Sequence, residues 1–229
     1  MKPGTYVELV ARSLAPLADE ARAAQMRAYL RNQFRFLGIQ APVRRKAINA
    51  LPRAGMPADD ILRTAALLWK KPEREYRYTA VDLLDRNAKL LRLEDLEVLR
   101  RFVGTDPWWE TVDSLAGVIG RVLRAEKSKG ADPQREMDSW VVDPDFWVRR
   151  VAMIHQLGWR DETDTARLFR YAEILAPEKE FFIRKAVGWA LRDFARWNPD
   201  AIRRYMQERS GVFCGLTFRE ATKHLARTA

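Results

Sequence analysis

Residues 105–121, TDPWWETVDSLAGVIGR, contain a helix whose apolar pattern leaves one carboxylate unexplained. Apolar residues recur at helical spacing and predict one buried helix face: Trp108, Val112, Leu115 and Ile119. Trp109 and Asp113 lie one turn apart on a different face of the same helix. Because burying a carboxylate without a partner is costly, packing alone does not account for Asp113.

Small residues continue the face that carries Trp109 and Asp113: Ala116, Gly117 and Gly120. Side chains this small would leave space beside the indole and the carboxylate. The stretch therefore predicts an open groove along this side of the helix. The alternative interpretation is a solvated Asp113 beside a core Trp109.

The hexapeptide WETVDS (109–114) aligns with five other segments: VRRKAI (43–48), YRYTAV (76–81), WVRRVA (147–152), FIRKAV (182–187) and TFREAT (217–222). Successive segments begin 33 to 38 residues apart, a period typical of paired-helix repeats. Strand-like alternation is missing, and the polar tract 124–136 is predicted as a surface loop. We therefore expect one all-α domain, residues 1–229, forming a solenoid with a curved concave surface.

The alignment also makes Asp113 an outlier. The fifth position of the other segments holds a small or β-branched apolar residue: Ala47, Ala80, Val151, Ala186 and Ala221. The third segment has an acid there. Departures from a local packing rule are typical of functional sites, so Asp113 is a candidate functional residue.

Prolines mark the expected helix starts, because their missing N–H and fixed φ suit a first helical turn. They are Pro42, Pro72, Pro107, Pro144, Pro177 and Pro199. Asp106, Asp143 and Asn198 each precede one of these prolines and are predicted as N-caps.

Charge and composition narrow the function classes. Lys and Arg outnumber Asp and Glu by 41 to 31, and the net charge of +10 favours a polyanion such as nucleic acid or an acidic membrane surface. The single cysteine, Cys214, excludes an internal disulfide, and we expect it to be a small apolar residue. His155 and His224 are too few for a zinc-type cluster and are predicted to be structural or exposed. Residues 1–23 lack a continuous apolar run, so we expect a cytoplasmic protein without a membrane span.

Residues 179–197 again combine an apolar stripe with an out-of-place tryptophan. The stripe consists of Ile183, Ala186, Val187, Ala190 and Phe194. Trp189 falls instead among cations at helical spacing: Lys185, Arg192 and Arg196. Indole and cationic groups together are typical of nucleic-acid surfaces. The alternative is cation–π packing against a neighbouring helix.

Cations recur at equivalent places in three of the aligned segments: Arg44, Arg45 and Lys46; Arg149 and Arg150; Arg184 and Lys185. Repeated along a solenoid, they would line one edge and could follow a phosphate backbone. Taken singly, each is more often a solvated charge.

Five multi-residue motifs occur along the chain: FLGIQAPVRR (36–45), LWKKPEREYRYTAVDLL (68–84), WWETVDS (108–114), FWVRRVAMIHQL (146–157) and KEFFIRKAVGWALRDFARWNPDAI (179–202). In this order they resemble the AlkD-type alkylpurine DNA glycosylases. The resemblance extends from about Tyr29 to His224. It implies a right-handed α-α superhelix of HEAT-like repeats whose basic concave surface wraps duplex DNA.

The resemblance also implies an activity, the excision of positively charged N3- and N7-alkylated purines from duplex DNA without base flipping. Three residues match the catalytic positions: Trp109, Asp113 and Trp189. Gln40 matches a residue that contacts DNA at the lesion, and Arg150 matches one that holds the backbone beside it. Further DNA-facing positions are matched by Tyr29, Arg45 and Arg192.

Together, resemblance and cation pattern predict these DNA-binding residues: Gln40, Arg150, Tyr29, Arg44, Arg45, Lys185 and Arg192. Glu110 and Arg149 stand where the family often has Asp and a neutral polar residue, and neither departure touches the catalytic positions. We expect a monomer that binds alkylated duplex DNA and needs neither a metal nor another cofactor.

One carboxylate is enough for the expected reaction, because an alkylated purine is already a cationic leaving group. Asp113 near C1′ would stabilise an oxocarbenium-like sugar and position or deprotonate the attacking water. Two alternatives stay open from the residues alone. One is a non-catalytic binder of bent or damaged DNA, and the other is a helical-repeat scaffold for protein partners.

Overall fold

A computed structural model describes residues 1–51, 55–127 and 132–225 of the chain. These residues form thirteen α-helices joined by short loops and 3₁₀ turns, and no β-strand occurs among them. The predicted all-α class is confirmed. The helices fall into two units, residues 1–98 and 99–229, with the boundary inside α6.

The first unit is built on five helices: α1 (Pro3–Leu14), α2 (Glu20–Tyr29), α3 (Ala41–Asn49), α4 (Ala58–Trp69) and α5 (Arg74–Arg86). Helix α4 packs against both α1 and α5. Its inner face is fully buried at Ile61, Ala65 and Leu68. Leu84 of α5 and Val10 of α1 are also fully buried and contribute to this apolar core.

The second unit contains the remaining helices: α6 (Leu96–Gly104), α7 (Trp109–Lys127), α8 (Arg135–Trp140), α9 (Phe146–Ile154), α10 (Thr165–Leu175), α11 (Phe181–Ala195), α12 (Pro199–Glu208) and α13 (Gly215–Thr222). Helices α7, α9, α11 and α13 pack against one another in chain order. Helix α8 packs on α9, α10 packs on α9 and α11, and α12 packs on α11. The unit therefore has two layers of helices.

The six aligned segments all lie in odd-numbered helices, from α3 to α13. In α5, α9, α11 and α13 the residue at the fifth position is apolar and fully buried. Ala47 of α3 is half-buried, and so is Asp113 of α7. The register that singled out Asp113 is thus confirmed, because the acid occupies a packing position of the repeat.

Proline and cap predictions are correct at only some helix starts. Pro42 and Pro199 lie in the first turns of α3 and α12, and the Asn198 side chain accepts a hydrogen bond of 3.0 Å from the N–H of Ala201. At the other four prolines the helix begins two to four residues later: Pro72, Pro107, Pro144 and Pro177.

Two of the predicted N-caps are wrong for a local reason. Asp143 accepts a 2.8 Å hydrogen bond from the N–H of Asp145, which closes a turn around the proline, and Asp145 then caps α9 through the N–H of Trp147. Asp106 has φ +45°, and α7 begins three residues after it, at Trp109.

The polar tract 124–136 is only partly a loop. Helix α7 extends to Lys127, and α8 begins at Arg135. Residues 128–131 of the tract lie outside the described residues. Residues 124–127 resemble a loop in composition because the last turn of α7 is rich in charged residues.

The predicted groove beside Asp113 is wrong at two of its three positions. Ala116 and Gly120 are buried, and Gly117 is exposed. A Cβ built on Gly120 would lie 2.1 Å from the backbone oxygen of His155, so the glycine allows α7 to approach the end of α9. Gly120 therefore serves close helix packing.

Two glycines of the same helix provide a matched test of this packing. Gly120→Ala should lower the free energy of unfolding by at least about 1–3 kcal/mol, because a backbone oxygen blocks the new methyl group. Gly117→Ala should raise it by up to about 1 kcal/mol, since its Cβ would meet only the Arg121 guanidinium at 3.8 Å. Urea denaturation of both variants measures the difference, and equal stabilities would contradict the assigned contact.

His155 is a structural residue with both ring nitrogens satisfied. Its Nδ1 lies 2.7 Å from the carbonyl oxygen of Ala152, and its Nε2 lies 3.0 Å from Nε2 of Gln134. Complete burial lowers the pKa of His155 to about 4. The neutral ring fits this arrangement, with Nδ1–H as donor and Nε2 as acceptor. His224 is exposed, so the expectation for both histidines is confirmed.

This burial predicts a defined loss of stability in mild acid. The unfolded chain takes up a proton at His155 near pH 6.5, whereas the folded protein resists it until about pH 4. Stability is therefore complete above pH 6.5 and falls by up to about 1.4 kcal/mol per pH unit between those values. Urea titrations at several pH values should show this slope in the wild type and in His224→Gln. His155→Gln should lose it, and a variant that retained the full slope would contradict the assignment.

Candidate functional site

Asp113 is held in a bidentate ion pair with Arg150 of the next odd-numbered helix. Nε of Arg150 donates to Oδ1 of Asp113 at 2.7 Å, and Nη2 donates to Oδ2 at 2.8 Å. The side chains are 5% exposed for Arg150 and 15% exposed for Asp113. The pair therefore compensates a carboxylate that the apolar packing position would otherwise exclude.

Arg150 also connects this pair to a third helix. Its Nη1 donates to the backbone oxygen of Phe182 in the first turn of α11, and its guanidinium carbon lies 5.9 Å from the centre of the Phe182 ring. Each of the three guanidinium nitrogens thus has an acceptor. The carboxylate of α7 is fixed in place by α9 and α11 together.

Aromatic side chains pack around this junction at the beginnings of α7, α9 and α11. The Trp108 and Phe182 rings meet edge to face at 5.4 Å, and the Trp147 and Phe182 rings lie 4.9 Å apart. Trp108 was predicted to belong to the core face of α7, and its half-buried indole between these rings agrees with that. Both indoles thus contact Phe182, the residue whose ring also lies near the Arg150 guanidinium.

The environment of Asp113 changes its acidity. Burial raises the pKa of Asp113 above its ordinary value, and the hydrogen bonds and charge of Arg150 oppose only part of that rise. A carboxylate with a raised pKa is a stronger base than an ordinary aspartate. The remaining lone pairs of its two oxygens can still accept hydrogen bonds.

The two candidate tryptophans lie on the helices that form this junction. Trp109 begins α7 one turn before Asp113 and is half-buried. Trp189 is half-buried in α11, while the predicted apolar stripe of that helix is buried: Ile183, Ala186, Val187, Ala190 and Phe194. The separation of Trp189 from the core stripe is confirmed.

The cations beside Trp189 share one acid. Lys185 Nζ lies 2.7 Å from Oε1 of Glu220 in α13, and Arg192 Nη1 donates to Oε2 of the same carboxylate. The hydrogen bond from Lys185 lowers the pKa of Glu220, although burial acts in the opposite direction. Glu220 is therefore ionised at neutral pH.

Within the first unit, Tyr29 and Gln40 flank a loop that is fixed at its far end. Tyr29 is 73% exposed at the end of α2, and Gln40 is exposed just before α3, where its side chain makes no capping hydrogen bond. The buried Glu75 carboxylate accepts hydrogen bonds of 2.9–3.1 Å from three consecutive backbone N–H groups, at residues 37–39. This acid fixes the chain that leads into Gln40.

Arg44 does not lie where the sequence predicted it. Its side chain is 3% exposed, lies 2.9 Å from Asp82 Oδ2 and donates to the Thr79 hydroxyl. A guanidinium buried between α3 and α5 is not presented to a phosphate. The prediction failed because the one-per-repeat cation pattern does not distinguish inner from outer arginines. Arg45 pairs with the same Asp82 at 3.0 Å and remains more than half exposed.

Arg149 and Arg184 are also compensated within the second unit. Arg149 pairs with the Glu178 carboxylate at 2.7 Å and donates to the backbone oxygens of Asp143 and Pro144. Arg184 donates to the backbone oxygen of Glu178 at 2.8 Å. The predicted cationic edge is thus a row of ion pairs and backbone contacts.

Sequence reasoning missed the three acids that complete these pairs, Asp82, Glu178 and Glu220. A signal for Glu220 was present, because it occupies the fourth position of its segment, where the two preceding segments have Arg150 and Lys185. The fourth column also contains Thr79 and Val112, so this departure is weaker than that of Asp113 in the fifth column.

Cys214 differs from the prediction of an ordinary apolar residue. It precedes α13, and its Sγ lies 3.4 Å from the Thr217 hydroxyl. Burial, which raises the pKa of this thiol, is outweighed by hydrogen bonds from Thr217 and from nearby backbone, so that the pKa is lowered.

Neither a metal-binding cluster nor a membrane-spanning helix occurs in the part of the chain that the structure describes. Residues 1–51, 55–127 and 132–225 contain no group of three or more His, Cys, Asp or Glu side chains placed to hold a metal ion. None of the helices in that part of the chain is both long and apolar enough to cross a membrane.

Comparison with known structures places the chain among related folds. A predicted DNA alkylation repair enzyme from Enterococcus faecalis is similar with a TM-score of 0.84 and 30% identity, over 92% of this chain and 97% of that chain. Two Streptococcus mutans proteins, smu.31 and AlkD2, each give a TM-score of 0.59 at 22% and 21% identity. They cover 74% of this chain and 86% and 83% of their own, and at this identity they show the fold alone.

No match was found among curated proteins. The sequence model of one protein family, described as DNA alkylation repair enzyme, matches residues 10–225. This match covers nearly the whole chain and includes both the Asp113–Arg150 pair and Trp189. The chain therefore belongs to the DNA alkylation repair enzyme family.

Proposed function

We propose that this protein is a DNA glycosylase that hydrolyses the N-glycosidic bond of cationic N3- and N7-alkylated purines in duplex DNA. The observation that carries the proposal is Asp113, a half-buried carboxylate at a packing position of the repeat, held in a fixed orientation by Arg150. A carboxylate that only improved solubility would lie on the exposed surface. Asp113 is instead largely buried, and a second buried residue, Arg150, is needed to neutralise it.

The chemistry needs only one such carboxylate. Alkylation at N3 or N7 gives the purine a positive charge, so it leaves without protonation, and the remaining barrier is positive charge on the deoxyribose. Asp113 near C1′ stabilises that charge and orients or deprotonates the attacking water. Neutral lesions lack an activated leaving group and would need a second acid, so they are poor substrates.

Arg150 acts in this proposal as the positioning residue for Asp113. Its fork-shaped guanidinium fits the two carboxylate oxygens, and its bond to the Phe182 backbone oxygen prevents the pair from rotating together. Direct contact with a backbone phosphate, the role first predicted for Arg150, would require some of these bonds to be exchanged.

Trp109 and Trp189 supply electron-rich aromatic faces beside the sugar and backbone. The face of an indole attracts a positively polarised deoxyribose, and this attraction grows as charge develops. Both residues are half-buried, so part of each ring is available to a ligand. Gln40, Tyr29 and Arg45 contribute DNA contacts from the first unit, whereas the buried Arg44 does not.

A non-catalytic DNA-binding protein is the competing function. It shares the basic composition and the aromatic residues, and it predicts that Asp113 has no role in chemistry. The following experiment separates the two.

Asp113→Asn should reduce release of N7-methylguanine from a duplex at least about 100-fold relative to the wild type, after subtraction of spontaneous release. The amide carries no charge and accepts no proton. Single-turnover release assays measure the rate, and a duplex containing hypoxanthine, a neutral base, should be a poor substrate for both proteins.

Folding and DNA binding need a separate control, because Asp113→Asn leaves a buried guanidinium with a weaker partner. The double variant Asp113→Asn/Arg150→Gln removes both charges and should fold, bind undamaged duplex and release no base. Full activity in either variant would exclude the carboxylate mechanism. If the wild type binds the duplex but releases no base, the protein is a DNA binder.

Arg150→Lys tests the positioning role. Lysine keeps the positive charge but forms no bidentate contact, so kcat should fall about 10- to 100-fold through misorientation of Asp113. The Kd for undamaged duplex and its salt dependence should stay unchanged. If Arg150 instead binds a phosphate, its replacement by Gln should make the slope of log K against log salt shallower by about 0.9.

A further inference from the structure

The face of α11 that carries Trp189 has a cation one turn away on either side. Lys185 precedes Trp189 by four residues and Arg192 follows it by three, so the three side chains share one side of the helix. Their side chains are 37% exposed for Lys185 and 19% exposed for Arg192. Neither cation belongs to the buried stripe of the helix.

One carboxylate from α13 bridges the two cations. Glu220 places one oxygen on Lys185 and the other on Arg192, so a single anion spans two turns of α11 beside the tryptophan. Two cations that converge on one anion from different directions match the requirements of a phosphate, which offers several oxygens to separate donors.

The stem of Glu220 has a dedicated place on α11. A Cβ built on Gly188 would lie 2.4 Å from Cβ of Glu220 and 3.0 Å from the backbone oxygen of Thr217. The glycine therefore lets α13 approach closely, and the Thr217 hydroxyl fixes it by donating to the backbone oxygen of Arg184 at 3.1 Å. The Glu220 side chain beyond this contact is one-fifth exposed, so its carboxylate lies at the edge of the packed interface between α11 and α13.

We propose that Lys185 and Arg192 form a subsite for one backbone phosphate beside Trp189, and that the Glu220 carboxylate occupies this subsite until DNA displaces it. The inference rests on the proposed function, since it assumes that this face of α11 contacts DNA. Glu220 acts as an internal competitor of the phosphate. It lowers the affinity for any duplex, because each binding event must first separate two ion pairs.

The competition has a measurable signature in salt dependence. Cations that are already neutralised by a protein carboxylate release few counterions when DNA arrives. Removing the Glu220 charge leaves Lys185 and Arg192 to release condensed counterions from the duplex, at a slope of about 0.9 for each added phosphate contact. Glu220→Gln should therefore bind DNA more tightly at low salt, with a steeper slope of log K against log salt.

The experiment measures the Kd of an undamaged fluorescent duplex by anisotropy from low to moderate salt. Glu220→Gln should steepen the slope by about 0.9 to 1.8 relative to the wild type. The matched control is Glu173→Gln, which removes the same charge from an ion pair with Arg209 between α10 and α12 and should leave the slope near that of the wild type. Lys185→Gln added to Glu220→Gln should remove about half of the gain.

Glu220→Asp keeps the net charge of the protein. It gives a second test that does not require the folded protein to accommodate a glutamine at position 220. The shorter side chain cannot reach both cations, so its slope should lie between those of the wild type and Glu220→Gln. Thermal unfolding followed by circular dichroism verifies that each variant is folded.

Each outcome decides the question. A Glu220→Gln slope equal to that of Glu173→Gln overturns the inference, and so does weaker binding, which would mean that Glu220 positions the cations for DNA. In both cases salt-dependent binding by the wild type leaves the proposed function intact. A wild type without salt-dependent binding to the duplex overturns the proposed function and this inference with it.

Discussion

The ion pair between Asp113 and Arg150 is the constraint on which the arrangement of the second unit depends. The repeat requires a small apolar residue at the position of Asp113, and a lone carboxylate there would be excluded by its desolvation. Arg150 satisfies both oxygens and uses its remaining nitrogen on the backbone of Phe182, so one side chain joins α7, α9 and α11. Trp108 and Trp147 pack against Phe182 at the same junction, where α7, α9 and α11 begin.

Most of the cations that recur in the repeats are likewise neutralised by a carboxylate. Arg45 is paired with Asp82, Arg149 with Glu178, and Lys185 with Glu220, and each acid lies outside the helix that carries its cation. The count of 41 Lys and Arg residues therefore overstates the cations that are ready to meet a polyanion. Under the proposed function, binding of DNA on these faces would be an exchange of partners, in which a phosphate replaces a carboxylate. Affinity gained by such exchange is smaller, and its dependence on salt is weaker, than the number of cations suggests.

The sequence was sufficient for the fold class, the register of the repeats and the two anomalous residues, Asp113 and Trp189. These follow from periodicity within single helices, which tertiary contacts do not alter. It failed where a residue's role depends on the next helix. Gly120 looked like the floor of a groove and is instead the closest approach of α7 to His155. Arg44 has the sequence neighbours of an exposed cation, yet its guanidinium lies between α3 and α5. The fourth position of the repeat marks Glu220, but only the packing of α13 on α11 brings this acid to Lys185 and Arg192.

Asp113 and Glu220 are both carboxylates paired with cations, but their surroundings hold them in different ways. The partner of Asp113 is buried, bidentate and tied to backbone, so the carboxylate keeps one orientation, which suits the role proposed for it beside a reacting sugar atom. The partners of Glu220 are long side chains at a partly exposed face, and each supplies one contact. The proposed exchange of this carboxylate for a phosphate would therefore require little change in the helices around it. The two proposed roles, a fixed Asp113 and an exchangeable Glu220, differ because the two acids are held by different numbers of atoms from different numbers of helices.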